Sequence, residues 1–143
     1  LGIIFSLILY LNYKKNNIDN QEFKYVYFLQ ISAYENIENV YTLTKTLNNY
    51  LVIKENDNLY HVYIGITKNQ KNSQKIKEFY NKNGNNIYVR EKLVNCKNLF
   101  FELDNYEKLL DNASNLEEYE KIEKEILKKY KEYNCEDKRD GAM

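Results

Sequence analysis

The sequence predicts an α+β domain with the element order β-α-β-β-α-β, followed by a helical C-terminal extension. Three observations lead to this prediction. From Lys24 onward, apolar and polar side chains alternate in short runs, which is the period of a β-strand. Two other stretches space their apolar residues as an α-helix does. The two middle strands are joined by "ENDN", a composition typical of a tight turn, so they should form a hairpin.

The elements follow in order along the chain. The predicted strands are "YFLQISAY", "LVIK", "LYHVYIGI" and "NIYVREKLV", and the predicted helices are "NIENVYTLTKTLNNY" and "NSQKIKEFYNKNG". Asn36 is expected to cap the first helix, and Gly84 is placed to end the second. This order is that of a split β-α-β or ferredoxin-like unit, which forms a four-stranded antiparallel sheet.

One face of the predicted sheet is expected to lie under the two helices, while the other face stays open. Strand alternation turns Leu29 and Ile31 into the core. The same alternation gives the open face a set of polar and aromatic side chains: Gln30, Ser32, His61 and Tyr63, with Tyr88 or Arg90 depending on register.

After Val94 the pattern becomes helical, in "LDNYEKLLDN" and in "SNLEEYEKIEKEILKKYKEYN", where Ser114 and Glu117 fit a capping box. These helices are expected to pack on their own domain or on a protein partner. Residues 1–97 carry 13 basic and 8 acidic side chains, and the remainder carries 8 and 13. Two interpretations stay open: two solvated faces of opposite sign, or an acidic tail that docks on the basic part.

The chain opens with "LGIIFSLILYLNYKK", which is apolar from Leu1 to Leu11 except for Ser6. We interpret residues 1–13 as the C-terminal part of a membrane anchor, although a buried first strand or helix is the alternative. The predicted organisation is therefore an anchor at 1–13, a polar tether at 14–23, a domain at 24–95 and a helical extension at 98–135.

Composition argues against several function classes. The formal net charge is zero, so no nucleic-acid partner is expected. His61 is the single histidine and there is no C-x-x-C pair, so neither a metal nor another cofactor is expected. Without an arguable nucleophile–base set or a glycine-rich phosphate loop, an enzyme is not predicted. Cys96 and Cys135 are interpreted as free thiols, with a disulfide as the alternative if the tail folds back.

Two stretches resemble the SPOR (sporulation-related repeat) domain family over residues 24–94, about half of the chain. "YFLQISAYENIENVYTL" is similar to the first half of that domain, in which a glutamine precedes an aliphatic–small–small–aromatic run and an Asn-Ala-x-x-Leu helix. The corresponding residues are Gln30, Ile31–Tyr34, and Asn39-Val40 with Leu43. "YHVYIGI" is similar to the Tyr-x-Val-x-Val-Gly run of the second half, and Gly84 followed by Tyr88-Val89 also fits.

The resemblance implies a ferredoxin-like domain that binds peptidoglycan glycan strands stripped of their stem peptides. It implies display outside the cytoplasmic membrane on a single-pass anchor, in cell division or sporulation. The expected glycan-binding residues are those of the open face: Gln30, Ser32, His61, Tyr63 and Tyr88. The alternatives are an RNA-binding module or a small-ligand or protein-interaction module of the same topology. "LYHVYIGIT" lacks the basic, glycine-rich aromatic run expected of the RNA-binding form.

Overall fold

In a computed structural model of the chain, which describes residues 22–137, the predicted order of elements is present. The strands are β1 Phe23–Tyr34, β2 Leu51–Lys54, β3 Tyr60–Thr67, β4 Tyr88–Asn95 and β5 Glu136–Asp137. The helices are α1 Ile37–Thr44, α2 Gln70–Lys82, α3 Lys97–Asn112 and α4 Leu116–Glu132. The α+β class and the helical C-terminal part are therefore confirmed.

The strands form one sheet in the order β2-β3-β1-β4-β5, and every neighbouring pair is antiparallel. The first four are the predicted four-stranded sheet. The crossover through α1 leaves room for β3 between β1 and β2, as a split β-α-β unit requires. β5 adds two residues at the outer edge of β4, where Val94 pairs with Asp137.

β1 is the central strand, and its pairing with β3 is irregular. Against β4 its register is continuous from Phe23 to Gln30. Against β3 the register shifts twice, on either side of Gln30. Each shift is a β-bulge or similar irregularity, which changes the face to which the following side chains point.

The C-terminal helices pack on their own domain through buried apolar side chains, and two buried glutamates add hydrogen bonds. Glu123 of α4 is buried and accepts the backbone N–H of Ile66 on both oxygens, at 3.0 and 2.9 Å. Glu107 of α3 accepts the backbone N–H of Lys68 at 2.8 Å and the side-chain amide of Asn72 at 2.7 Å. The acidic tail therefore docks on the preceding part of the chain, and these hydrogen bonds come from amide N–H groups and not from basic side chains.

The observed helix ends agree in part with those predicted from the sequence. Gly84 follows α2 with a φ of +84°, a conformation that suits glycine. Asn36 does precede α1, but its side chain makes no capping hydrogen bond. The predicted capping box is displaced by one residue, because Asn115, not Ser114, accepts the N–H of Glu118 at 2.9 Å.

The prediction of a membrane location has to be corrected. In the stretch 22–137, no helix has both the length and the apolar character needed to cross a bilayer. The predicted anchor at 1–13 and most of the tether at 14–23 lie outside the described residues. The single-pass anchor therefore has no support, and we withdraw it together with the location outside the cytoplasmic membrane.

The interpretation of the cysteines as free thiols is wrong. Cys96 and Cys135 form a disulfide, with Cα atoms 5.0 Å apart and a sequence separation of 39. Cys96 precedes α3, and Cys135 follows α4 directly before β5. The bond thus closes a loop that contains both C-terminal helices.

Candidate functional site

One face of the sheet carries a group of interacting polar side chains, here called the sheet-face cluster. It consists of Gln30, Glu55, Asp57, His61, Tyr63, Arg90 and Lys92. The period of the strands explains why they meet. Residues two apart share a face, and β1 lies between β3 and β4, so one residue of the central strand contacts partners on both sides.

Glu55 is the centre of the cluster. It lies in the β2–β3 turn, and its side chain is 3% exposed. Its carboxylate accepts Lys92 Nζ at 2.7 Å, Arg90 Nη1 at 2.8 Å and the hydroxyl of Tyr63. Burial acts to raise the pKa of Glu55, but the hydrogen bonds and positive charges outweigh it, so the net pKa is lowered. The carboxylate is therefore charged in the folded protein at neutral pH.

His61 joins the turn to the central strand. Its Nε2 lies 2.8 Å from Asp57 Oδ2, and its Nδ1 lies 2.7 Å from Gln30 Oε1. Arg90 Nη1 is also 3.1 Å from Nδ1. A protonated imidazole satisfies both oxygens, whereas a neutral ring can donate to Asp57 and accept from Arg90. Both forms bond Asp57, whereas only the protonated ring also donates to Gln30 Oε1.

The face is less open than the sequence suggested. Tyr63 is 0% exposed and His61 is 6% exposed. The Tyr63 ring packs edge-on against Phe28 at 5.0 Å, and Phe28 in turn contacts Tyr130 of α4 at 5.6 Å. Tyr63 is therefore a buried support of the cluster, packed against Phe28, which in turn contacts α4.

The part of the cluster near Gln30 remains accessible and forms a rim. Tyr88 pairs with Gln30 across β1 and β4 and is 65% exposed. Arg90 and Asp57 keep 24% and 47% of their side chains exposed. This rim, formed by Gln30, Asp57, Tyr88 and Arg90, offers hydrogen-bond donors, acceptors and one flat aromatic ring.

Ser32 does not join the cluster. Gln30 pairs with Tyr63, and Ser32 pairs with Val62, the next residue of β3. Neighbouring residues of a strand point to opposite faces, so the irregularity at Ile31 turns Ser32 away from Gln30. The structure brings Gln30, His61 and Tyr63 together and places Tyr88 beside them.

Sequence reasoning missed Glu55, Asp57 and Lys92, and it treated Tyr88 and Arg90 as alternatives. A signal for β4 was present, since residues 88, 90 and 92 are two apart and must share a face. Glu55 and Asp57 lie in the turn "ENDN", where the preference of tight turns for such polar residues is a sufficient explanation for them. Their contacts depend on how the hairpin bends over the sheet.

Comparison of the chain with models of known families, with characterised proteins and with solved structures finds no match. The expected role in cell division or sporulation, which rested on the SPOR resemblance, gains no support and is withdrawn. Among residues 22–137, no three His, Cys, Asp or Glu side chains are grouped so as to hold a metal ion.

Proposed function

We propose that this domain is a non-catalytic module that binds peptidoglycan glycan strands on the rim of the sheet-face cluster. The ligand class comes from the resemblance of residues 24–94 to SPOR domains. The observation that carries the proposal is the composition of the rim: a half-buried amide, a carboxylate, a guanidinium and a tyrosine ring on one sheet face.

Charge balance favours a polar ligand with little charge. The cluster contains two acidic side chains, Glu55 and Asp57, and two basic side chains, Arg90 and Lys92. Lys92 and Glu55 neutralise one another below the surface at 2.7 Å. Sugar hydroxyls both donate and accept hydrogen bonds, so they match a rim that offers both kinds of group. The apolar side of a sugar ring can stack on Tyr88.

The cluster residues take different parts in this proposal. Gln30, Tyr88 and Arg90 contact the glycan. His61 and Tyr63 are positioning residues, since they are buried and hold Gln30 and Arg90 through bonds of 2.7 Å each. Ser32 is not a ligand contact, because its register turns it to the other face.

The test is a binding titration of the full chain against intact and amidase-treated peptidoglycan. Wild type should prefer the treated glycan. Gln30→Ala should weaken binding by about 0.5 to 1.5 kcal/mol, the usual value of one neutral hydrogen bond. Tyr88→Ala should cost at least as much, because it removes the exposed ring. Tyr41→Ala is the matched control, since Tyr41 is 58% exposed on α1, outside the cluster.

Each variant is also melted, so that loss of binding is separated from loss of folding. Leu29→Ala serves as the folding control and should destabilise by about 2 to 5 kcal/mol, because Leu29 is fully buried. Unchanged glycan binding by folded Gln30→Ala and Tyr88→Ala proteins would exclude the rim as the binding surface.

A further inference from the structure

A second candidate site lies away from the sheet-face cluster, in a groove between α4 and the loop that joins α1 to β2. The groove has a volume of about 300 Å³. Three lysines line it, Lys124, Lys128 and Lys131, together with Tyr50 and Leu127. None of the described residues that line it is acidic.

The three lysines share one side of α4, because they are four and three residues apart. Like charges at this spacing repel one another and destabilise a helix slightly. The C-terminal end of a helix favours cations. This explains Lys131 in the last turn of α4, but it does not explain Lys124 in the middle of the helix. The arrangement therefore has a small cost that folding alone does not explain.

Two carboxylates at helical spacing from these lysines have other partners. Glu120, one turn before Lys124, accepts the side-chain amide of Asn48 at 2.7 Å. Glu132, one turn after Lys128, pairs with Lys129 at 3.7 Å. Within the described part of the chain, Lys124 and Lys128 consequently have no ion pair.

Lys131 differs from the other two, because the α1–β2 loop holds it. Its Nζ donates to the backbone oxygen of Tyr50 at 3.3 Å and lies 5.6 Å from the centre of the Tyr50 ring. This contact ties α4 to the loop and keeps the Tyr50 ring, which is 38% exposed, at the side of the groove. Leu127 is buried beneath the lysines and supplies an apolar floor.

We propose that this groove binds a phosphate monoester. A dianion would compensate the two unpaired ammonium groups of Lys124 and Lys128, and lysine binds phosphate as a mobile point charge. The Tyr50 ring and the Leu127 floor would receive the organic body of the ligand. This site does not depend on glycan binding, since it shares no residue with the rim.

The test is an NMR titration of the full chain with phenyl phosphate, inorganic phosphate and dimethyl phosphate, at fixed ionic strength. The amides of Tyr50, Lys124 and Lys128 should shift in a saturable manner with one site. Phenyl phosphate should bind more tightly than inorganic phosphate, because only it has a ring to contact Tyr50. Dimethyl phosphate carries one charge and should bind more weakly than either.

Two double variants provide the matched comparison. Lys124→Gln with Lys128→Gln should weaken phenyl phosphate binding by about tenfold or more, since it removes two charge-assisted contacts. Lys71→Gln with Lys108→Gln makes the same change in net charge with exposed lysines outside the groove, and affinity should stay within about twofold. All four lysines are exposed, so both variants should keep the fold.

Three results would overturn the proposal: shifts that do not saturate, equal losses in the two double variants, or a diester that binds as tightly as the monoesters. Equal losses would mean that only the overall charge matters. Binding of glycan to the rim is measured separately, so a negative result for one site does not count against the other.

Discussion

Glu123 is enclosed between α4 and the edge of β3, with 1% of its surface exposed. Beyond the end of β2, the backbone N–H of Ile66 lies on an edge of β3 that no strand covers. Both oxygens of Glu123 satisfy that donor. Burial raises the pKa of Glu123 well above its ordinary value of 4.5, and the nearby Glu107 carboxylate raises it further.

This raised pKa predicts that Glu123 destabilises the fold as pH rises. Well below pH 4.5 the carboxyl group is protonated in both the folded and the unfolded chain, so its ionisation does not change the free energy of unfolding. Above it the unfolded chain ionises first, so the free energy of unfolding falls until the folded pKa is passed. Relative to Glu123→Gln, wild type should lose up to about 1.4 kcal/mol per pH unit in that window.

Urea denaturation of both proteins between pH 4 and pH 8 measures this difference. Glu55 and Asp57 do not affect the comparison, because both proteins contain them and their effects on stability cancel in the difference. Their pKa values are also lowered, so they titrate at the acidic end of the pH range. A constant difference in stability over the whole pH range would contradict a neutral Glu123 in the folded protein.

At the scale of elements, the contact between β3 and α4 depends on Gly65. A Cβ at this position would lie 2.8 Å from Glu123 Oε2 and 3.2 Å from Leu29 Cδ1. The family resemblance expects a glycine here, but the structure supplies a local reason for it. α4 brings the buried carboxyl group of Glu123 against the strand, and only glycine leaves space for it.

Gly65→Ala should therefore destabilise the protein by about 1 to 3 kcal/mol, the usual cost of overpacking a core. Combining it with Glu123→Ala should recover part of that loss, because the two side chains compete for the same space. Gly84→Ala is the comparison: its Cβ meets nothing within 4 Å, and only the left-handed φ is unfavourable. Additive losses in the Gly65–Glu123 pair, measured by chemical denaturation, would exclude this competition.

At the scale of the whole molecule, the disulfide connects the end of the chain to the sheet. Cys96 and Cys135 enclose α3 and α4, and β5 then pairs with β4 immediately after Cys135. The helical extension is thus held at its start, along β3 and at its end. It belongs to the folded unit rather than to an independent appendage.

Reduction should lower the free energy of unfolding by about 4 kcal/mol, because opening a loop closed across a sequence separation of 39 raises the conformational entropy of the unfolded chain. Denaturation with and without dithiothreitol measures the effect, and Cys96→Ser with Cys135→Ser should match the reduced protein. An unchanged midpoint after reduction would mean that the bond does not restrain the unfolded chain.

The sequence by itself determined the type and order of the secondary-structure elements, because periodicity and turn composition are local properties of a chain. It also predicted which strand residues share one face of the sheet, since the alternation of side chains follows from strand geometry. Gln30, His61 and Tyr63 were grouped correctly for this reason. Ser32 was not, because the irregularity beside Gln30 arises from the pairing of β1 with β3.

Only the tertiary structure decided which side chains are accessible and which are paired. Glu55 and Lys92 are far apart in sequence, and each would be read as a surface charge until the hairpin turn and β4 bring them to 2.7 Å in a buried pair. Tyr63 packs against Phe28, and Phe28 contacts Tyr130 of α4. This contact forms because α4 lies against the edge of β3, where Glu123 bonds Ile66. Local pattern encodes the direction of a side chain, whereas its burial and its partners depend on contacts between distant segments.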